Sequence, residues 1–350
     1  PDGGVPMLPH GFALRAASLD AGQKRVSLSL LVQISGSGEV LSWEVSPAVV
    51  RVNATLTYDE TEEAIQNQSS PWHEMLGHLF RVAQALRGRR EAAGAINVDP
   101  PEMDIDVSPS GEVEVTVRQR SSPSRVLVSE LMILCNSLLA DFCRRRGLPA
   151  AYRSQRAPEE ASTTAETGSQ TPRSEAEAVL WRFRAMRRLQ PADLDIIPAP
   201  HSSLGVPAYI QATSPLRRYP DLVMQRQIGH FLNSGQPLYT AEQVESLVQR
   251  AEVELREMAR LEEERNRYWF LKYLMQSRLE GGRSRDDPQL FGAVVLENQP
   301  RRKALVELVE YPFRVRADLP QTCEPGETVT LKLVGVDLWR RAAHFVHEAR

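Results

Sequence analysis

The chain has 350 residues, 42% hydrophobic and 25% charged, an ordinary globular composition with room for two or three domains. Lys and Arg number 42 against 45 Asp and Glu, a formal charge of −3, so any case for nucleic acid rests on local clusters rather than on a polycation. Three cysteines exclude a disulfide framework. Cys135 and Cys143 fall about 12 Å apart along one predicted helix, beyond disulfide reach, and a reducing, cytoplasmic setting is expected. No apolar run approaches the roughly 20 residues of a membrane span and no signal peptide is visible, so no membrane role is expected. The first residue is Pro1, inside what reads as a loop, so the chain reads as the remainder of a longer protein.

Residues 26–34 and 39–45 alternate as strands around Ser35-Gly36-Ser37-Gly38, a hairpin signal. Helical spacing runs from Pro71 to Arg90, and a second hairpin is predicted from 103–107 and 112–118 around Ser108-Pro109-Ser110-Gly111. Residues 122–146 form a helix apolar on more than one side. The Ser-, Thr-, Ala- and Glu-rich stretch 154–171 reads as a mobile loop or lid. Helices resume at 174–189 and 215–232, the latter stopped by Ser234-Gly235, and Thr240…Gln243 is a capping box opening a long helix to about Gln276. Gly281-Gly282 begins a charged linker. Short strands then follow at 290–296, 304–309, 313–315, 328–334 and 344–346.

Several stretches, in order, resemble the RNB catalytic domain of the RNase II/RNase R exoribonucleases. They are Val5-Pro6-Met7-Leu8-Pro9, Leu56-Thr57-Tyr58-Asp59-Glu60, Val126 to Asn136, Gly147-Leu148-Pro149-Ala150-Ala151-Tyr152-Arg153 and, most specific, Ala212-Thr213-Ser214-Pro215-Leu216-Arg217-Arg218-Tyr219-Pro220-Asp221-Leu222. His201…Leu204-Gly205…Ala208-Tyr209 is similar to the cyanobacterial and plastid branch. The tail resembles the family's C-terminal OB-fold domain. The resemblance implies an α+β RNB-type portion over 1–280 followed by a small OB-like β-barrel over 288–350. The implied activity is 3′→5′ hydrolysis of single-stranded RNA to nucleoside 5′-monophosphates with Mg²⁺.

Ser214 is a good N-cap and Pro215 a good first helical residue, which puts Arg217 and Arg218 at an opening turn where unpaired N–H groups and the helix dipole favour an anion. By resemblance Arg217 contacts the scissile phosphate, with Ser214, Arg218 and Tyr219 of the same segment on the RNA. Otherwise two arginines there face solvent or pair with Asp221. Tyr58, just after an apolar run, is implied to stack on the 3′-terminal bases. Glu130, expected at the first turn of an apolar helix, is the implied catalytic glutamate. Glu263 or Glu264 is implied near the RNA 3′ end, although a Glu263–Arg267 pair at i, i+4 is the plainer reading.

The family's Asp-rich metal segment belongs ahead of Val5, so no metal ligand is expected in this chain. The alternations Glu102, Asp104, Asp106 and Asp193, Asp195 read as solvated faces. Arg144-Arg145-Arg146, then Arg182, Arg184, Arg187 and Arg188 with Trp181 and Phe183, then Arg301-Arg302-Lys303 near Phe291, Tyr311 and Phe313, have the composition of a single-strand track. The rival expectation is an RNA-binding protein without catalysis.

Overall fold

The computed structural model describes residues 6–158, 172–280, 289–320 and 322–348. A short helix α1 (His10–Phe12) runs on into a π turn at Ala13–Ala17. Strands β1 (Lys24–Ile34) and β2 (Val40–Arg51) form a long antiparallel ribbon as expected, with Leu28, Leu30, Trp43 and Val45 turned to the core. Gly38 (φ 77°) closes it against the next helical layer: a Cβ there would stand 2.9 Å from the backbone carbon of Ala85.

Helices α2 (Tyr58–Gln66), α3 (His73–Ala92) and α4 (Pro123–Arg146) share one apolar cluster built on Ala64, Leu76, Ala83 and Leu127. Between α3 and α4 lies the second predicted hairpin, β3 (Glu102–Val107) with β4 (Val113–Arg118). By length and apolarity α4 is able to cross a membrane, contrary to the sequence expectation that no stretch comes close. Here Val126, Leu127, Leu139, Ala140 and Phe142 are buried against protein, and its polar Glu130 and Asn136 are buried with partners.

A two-stranded sheet, β5 (Tyr152–Ser154) with β6 (Asp193–Asp195), flanks α5 (Glu175–Arg188). The predicted lid falls largely on 159–171, outside the described residues. Helix α6 (Tyr219–Ser234) begins four residues later than the spacing predicts, with Arg218 at the N-cap. The long α7 (Ala241–Glu280) opens on the expected capping box, in which the Thr240 N–H donates to Gln243 at 2.9 Å and the Gln243 N–H returns to Thr240 at 3.3 Å.

Forty residues of α7 reach about 60 Å, enough to serve two cores. Its Val244 and Val248 pack with α4 and α6, whereas Phe270, Leu271 and Leu274 enter the core of the C-terminal barrel. The predicted linker at 281–287 lies outside the described residues. Strands β7 (Leu290–Gln299), β8 (Lys303–Leu308), β9 (Arg314–Asp318), β10 (Thr328–Asp337) and β11 (Ala342–His347) close into a barrel in the order β10-β11-β9-β8-β7. Closure removes every sheet edge, and the alternating Ala293, Val295, Val306, Val315, Ala317, Leu331 and Phe345 fill the interior. Helix α5 covers the outside of β7 through Val179 and Phe183 on Val294 and Leu296.

Candidate nucleic-acid interface

The segment before α6 is shaped by a carboxylate. The Ser214 carbonyl accepts from the N–H groups of Arg217 (3.3 Å) and Arg218 (3.0 Å), closing a turn ahead of the helix rather than its first turn. Asp221, fully buried in α6, draws both ends in: its Oδ1 accepts from the Ser214 N–H at 2.8 Å and from Arg218 Nη2 at 2.7 Å. Arg218 is spent on Asp221. Arg217 is left exposed, with no ion pair among the described residues, on a turn whose backbone is fixed beneath it. Tyr219 beside it is also exposed.

Asn136 of α4 holds the approach to this turn. Its Oδ1 accepts from the Ala212 N–H at 3.0 Å, and its Nδ2 donates to Tyr209 Oη (2.9 Å) and Thr213 Oγ1 (3.3 Å). A fully buried amide with all three bonds satisfied fixes position, because any displacement strands polar groups away from water.

Further toward its N-terminus α4 carries Glu130, which sits on the third turn, not the first. It is 2% exposed, and Arg90 binds both its oxygens, with Nε at 2.8 Å and Nη2 on the other. Arg90 Nη1 also donates to the Leu204 carbonyl at 2.8 Å, so this pair ties α3, α4 and the 202–205 turn together. Gly205 (φ 64°) lets that turn approach: a Cβ there would lie 2.6 Å from the Arg90 carbonyl oxygen. Glu130 therefore stands as a buried strut in this structure.

Tyr58 opens α2 behind a capping box, with the Thr57 N–H donating to Glu60 at 2.7 Å. That bond lowers the Glu60 pKa. The ring is 43% exposed, and the Arg125 guanidinium lies over it, 4.6 Å from the centroid. Arg125 donates to Glu102 of β3 at 3.0 Å. Along α4, Arg125 and Asn136 are eleven residues apart, about 16 Å, so Tyr58 and the Arg217 turn are anchored at separate points of one helix.

Glu263 is elsewhere. It lines a cleft of about 480 Å³ between β3, α5, α7 and the barrel, with Met103, Met186, Asn266, Phe313 and Arg314. The predicted Glu263–Arg267 pair does not form. Arg267 Nε donates to the Arg341 carbonyl at 2.7 Å and its guanidinium packs 5.1 Å from the Phe313 ring. Burial lowers the Arg267 pKa, the nearby Glu263 charge opposes that without forming an ion pair, and Arg316 lowers it a little further. Glu264 instead pairs with Arg260 (3.0 Å) and Arg341.

Arg267 and Arg314 also line a second cleft of about 810 Å³ on the barrel, joined by Lys303, Arg316, Arg340 and Arg341 and by no acid. The basic clusters of the sequence divide accordingly. Arg144 and Arg145 are neutralised by Asp141 at 2.8 and 2.6 Å, and Arg187 by Glu297 at 2.7 Å. Phe183, Phe291 and Phe313 are core residues rather than stacking platforms. The most exposed aromatic among the described residues is Trp339, which sequence reasoning passed over although it stands between two predicted strands and precedes Arg340-Arg341.

No three His, Cys, Asp or Glu side chains among the described residues converge as metal ligands. Glu102 pairs with Arg120 and Arg125, Asp104 with Arg118 at 2.6 Å, and Asp193 faces Arg256 at 3.9 Å. A divalent ion needs anionic oxygens to spare, and these residues do not fit one. The thiols offer nothing nucleophilic either: burial pushes Cys135 up to about 11 and Cys143 up to about 12.

Helices and small sheets carrying a fixed, outward arginine, followed by a closed OB-like barrel with a basic cleft, make an RNase R-like fold. The RNB domain family matches residues 1–234, and the RNase II-type exonuclease C-terminal S1 domain matches 289–348; the chain belongs to the RNase II/RNase R family. It is 32% identical to an uncharacterized ribonuclease of Synechocystis over 99% of this chain and 50% of that protein. It is 25% identical to the chloroplastic/mitochondrial ribonuclease II of Arabidopsis thaliana over 95% of this chain and 40% of that one. The chain thus spans about half the length of these relatives or less. The apo form of Mycoplasma genitalium RNase R shares the fold with a TM-score of 0.82 at 16% identity, covering 98% of this chain and 61% of that one.

Proposed function

We propose that this chain supplies the RNA-holding part of a 3′→5′ exoribonuclease that shortens single-stranded RNA to nucleoside 5′-monophosphates. The observation that carries the reading is Arg217, an exposed guanidinium without a partner among the described residues, on a turn fixed by the buried Asp221. Such a fork is suited to two oxygens of one phosphate, and its turn needs no rearrangement when the anion arrives. Tyr58 supplies an aromatic surface for terminal bases and the clefts beside Arg267 a path for the strand, which fits recognition by stacking and charge without sequence preference. Support also comes from the Mycoplasma protein, which has been solved with ribose-methylated single-stranded RNA and with double-stranded RNA.

Mg²⁺ belongs to this reading through the family. The residues described here would hold and orient the strand, and no step is assigned to them through a metal. A second reading, RNA binding without catalysis, is favoured by the acids themselves: Glu102, Asp104 and Glu130 are each bound to arginine. The yeast pseudonuclease Ssd1 has a related fold, with a TM-score of 0.66.

The test incubates the pure chain with 3′-labelled and 5′-labelled oligoribonucleotides and Mg²⁺ or Mn²⁺. Binding with little or no mononucleotide release is expected. Robust release from the 3′ end would mean that the chain assembles its own hydrolytic site, and failure to bind RNA contradicts both readings. An Asp-rich stretch encoded immediately before Pro1 separates the enzyme from the silent binder.

A further inference from the structure

The barrel presents a device that the Arg217 turn does not explain. Among the described residues, three non-glycine residues have positive φ, and all three are arginines: Arg301 (62°), Arg302 (58°) and Arg341 (50°). Left-handed backbone suits Gly or Asn, and either would serve a tight hairpin without strain. Arg301 and Arg302 form the β7–β8 turn, whose shape is held by the Leu319 N–H donating to the Arg302 carbonyl at 3.0 Å. Arg341 closes the β10–β11 turn. Pro300 and Lys303, on either side of the first turn, line the same basic cleft as Arg340 and Arg341 of the second.

The β10–β11 turn is anchored on each side of its tip. The Arg340 N–H donates to Asp337 at 3.0 Å, the Arg341 N–H to the Leu338 carbonyl at 3.3 Å, and Leu338 packs on the barrel core. Arg341 pairs with Glu264 while its carbonyl accepts from Arg267. Between these anchors Trp339 is 98% exposed. Leaving an indole in water on a pinned, strained turn stabilises nothing in the folded chain. Strain of this kind gathers where a ligand is clamped.

We infer that Trp339 is a base-stacking platform at the rim of the barrel's basic cleft, taking an unpaired base of single-stranded RNA while Arg301, Arg302 and Arg316 meet the flanking phosphates. The inference rests on the RNA-holding reading above. The charge beside the cleft selects this occupant, and no acid lines it. Lys303, Arg314, Arg340 and Arg341 are paired with Asp318, Glu307, Asp337 and Glu264 outside the lining, whereas Arg316 within it and Arg301 and Arg302 on the adjoining turn have no ion pair among the described residues. Cations beside an exposed aromatic suit a polyanion with π faces. A lone indole without a surrounding apolar patch is a poor membrane anchor.

The experiment measures binding of the full chain and of Trp339→Ala and Trp339→Phe to oligoadenylate of about 12 nucleotides and to an abasic ribose-phosphate strand of equal length. Trp339→Ala should weaken oligoadenylate binding about 5- to 150-fold, leave abasic binding and the salt slope unchanged, and be largely rescued by Trp339→Phe. Thermal unfolding of both variants should match the parent, since the side chain packs on nothing. Equal loss on both strands, or none on either, overturns the platform while the RNA-holding reading stands. A parent that binds neither strand overturns that reading and the platform with it. Tryptophan fluorescence that responds to phosphatidylserine vesicles and not to RNA overturns it in favour of a membrane surface.

Discussion

The Arg217 turn and the barrel rim both offer arginine to solvent, and they hold it by opposite means. At the turn, buried polar groups do the positioning: Asp221 and Asn136 are each fully buried and bind the backbone of 212–214. On the barrel the backbone itself is bent into unfavourable turns, and the cations lie on an apolar cylinder. One arrangement suits a single oriented contact and the other a broad, tolerant one. The contrast teaches that exposure of a cation says little until what lies beneath it is known.

The largest effect should come from the buried side of that comparison. Arg90→Ala leaves Glu130 buried without its partner, so unfolding free energy should fall by about 3–5 kcal/mol in urea denaturation. A loss under about 1 kcal/mol would show that Glu130 reaches water and is free for another role.

A second effect depends on pH. Burial, with help from Arg153, lowers the His201 pKa from 6.5 to about 4. The folded protein therefore resists the proton that the unfolded chain accepts. The resulting stability is fully present above pH 6.5 and is lost as pH falls toward 4, on the order of 2 kcal/mol once partial solvent screening is allowed for. His201→Gln should flatten that pH slope; an unchanged slope would assign the acid sensitivity to other groups.

The smallest effect belongs to the barrel. Arg316→Ala should reduce RNA affinity only a few-fold and lower the slope of log affinity against log salt by about 0.7, one phosphate's worth on a single strand. A loss confined to one RNA sequence would mean that Arg316 reads a base instead.

Much of this was legible in the sequence because it is local. Alternation marked β1–β2 and β3–β4, and Thr240 with Gln243 marked the start of α7. The Thr213–Leu222 motif singled out Arg217, which stands exposed on its turn. What stayed hidden was set by partners distant in the chain. Pro215 reads as a helix start, yet a turn closed on the Ser214 carbonyl and tied to Asp221 comes before the helix, and Glu130 reads as a catalytic acid until Arg90, forty residues earlier, reaches it. Glu263 and Arg267 have ideal spacing, yet Arg341 takes the arginine. Trp339 carried only the signal of an aromatic placed in a turn, and its exposure became visible once the barrel closed.

The central claim is that Arg217 grips a phosphate of single-stranded RNA from a turn that is already in place. The direct measurement is the dissociation constant of a single-stranded oligoribonucleotide for the parent, Arg217→Ala and Arg217→Lys, with unfolding followed in parallel. Loss of a charge-assisted contact should weaken binding by about 1.5–3 kcal/mol in Arg217→Ala, with stability within about 0.5 kcal/mol of the parent. Arg217→Lys should stay impaired, because a point charge cannot reproduce the fork. Parent-like affinity in Arg217→Ala, or full recovery in Arg217→Lys, would contradict the account.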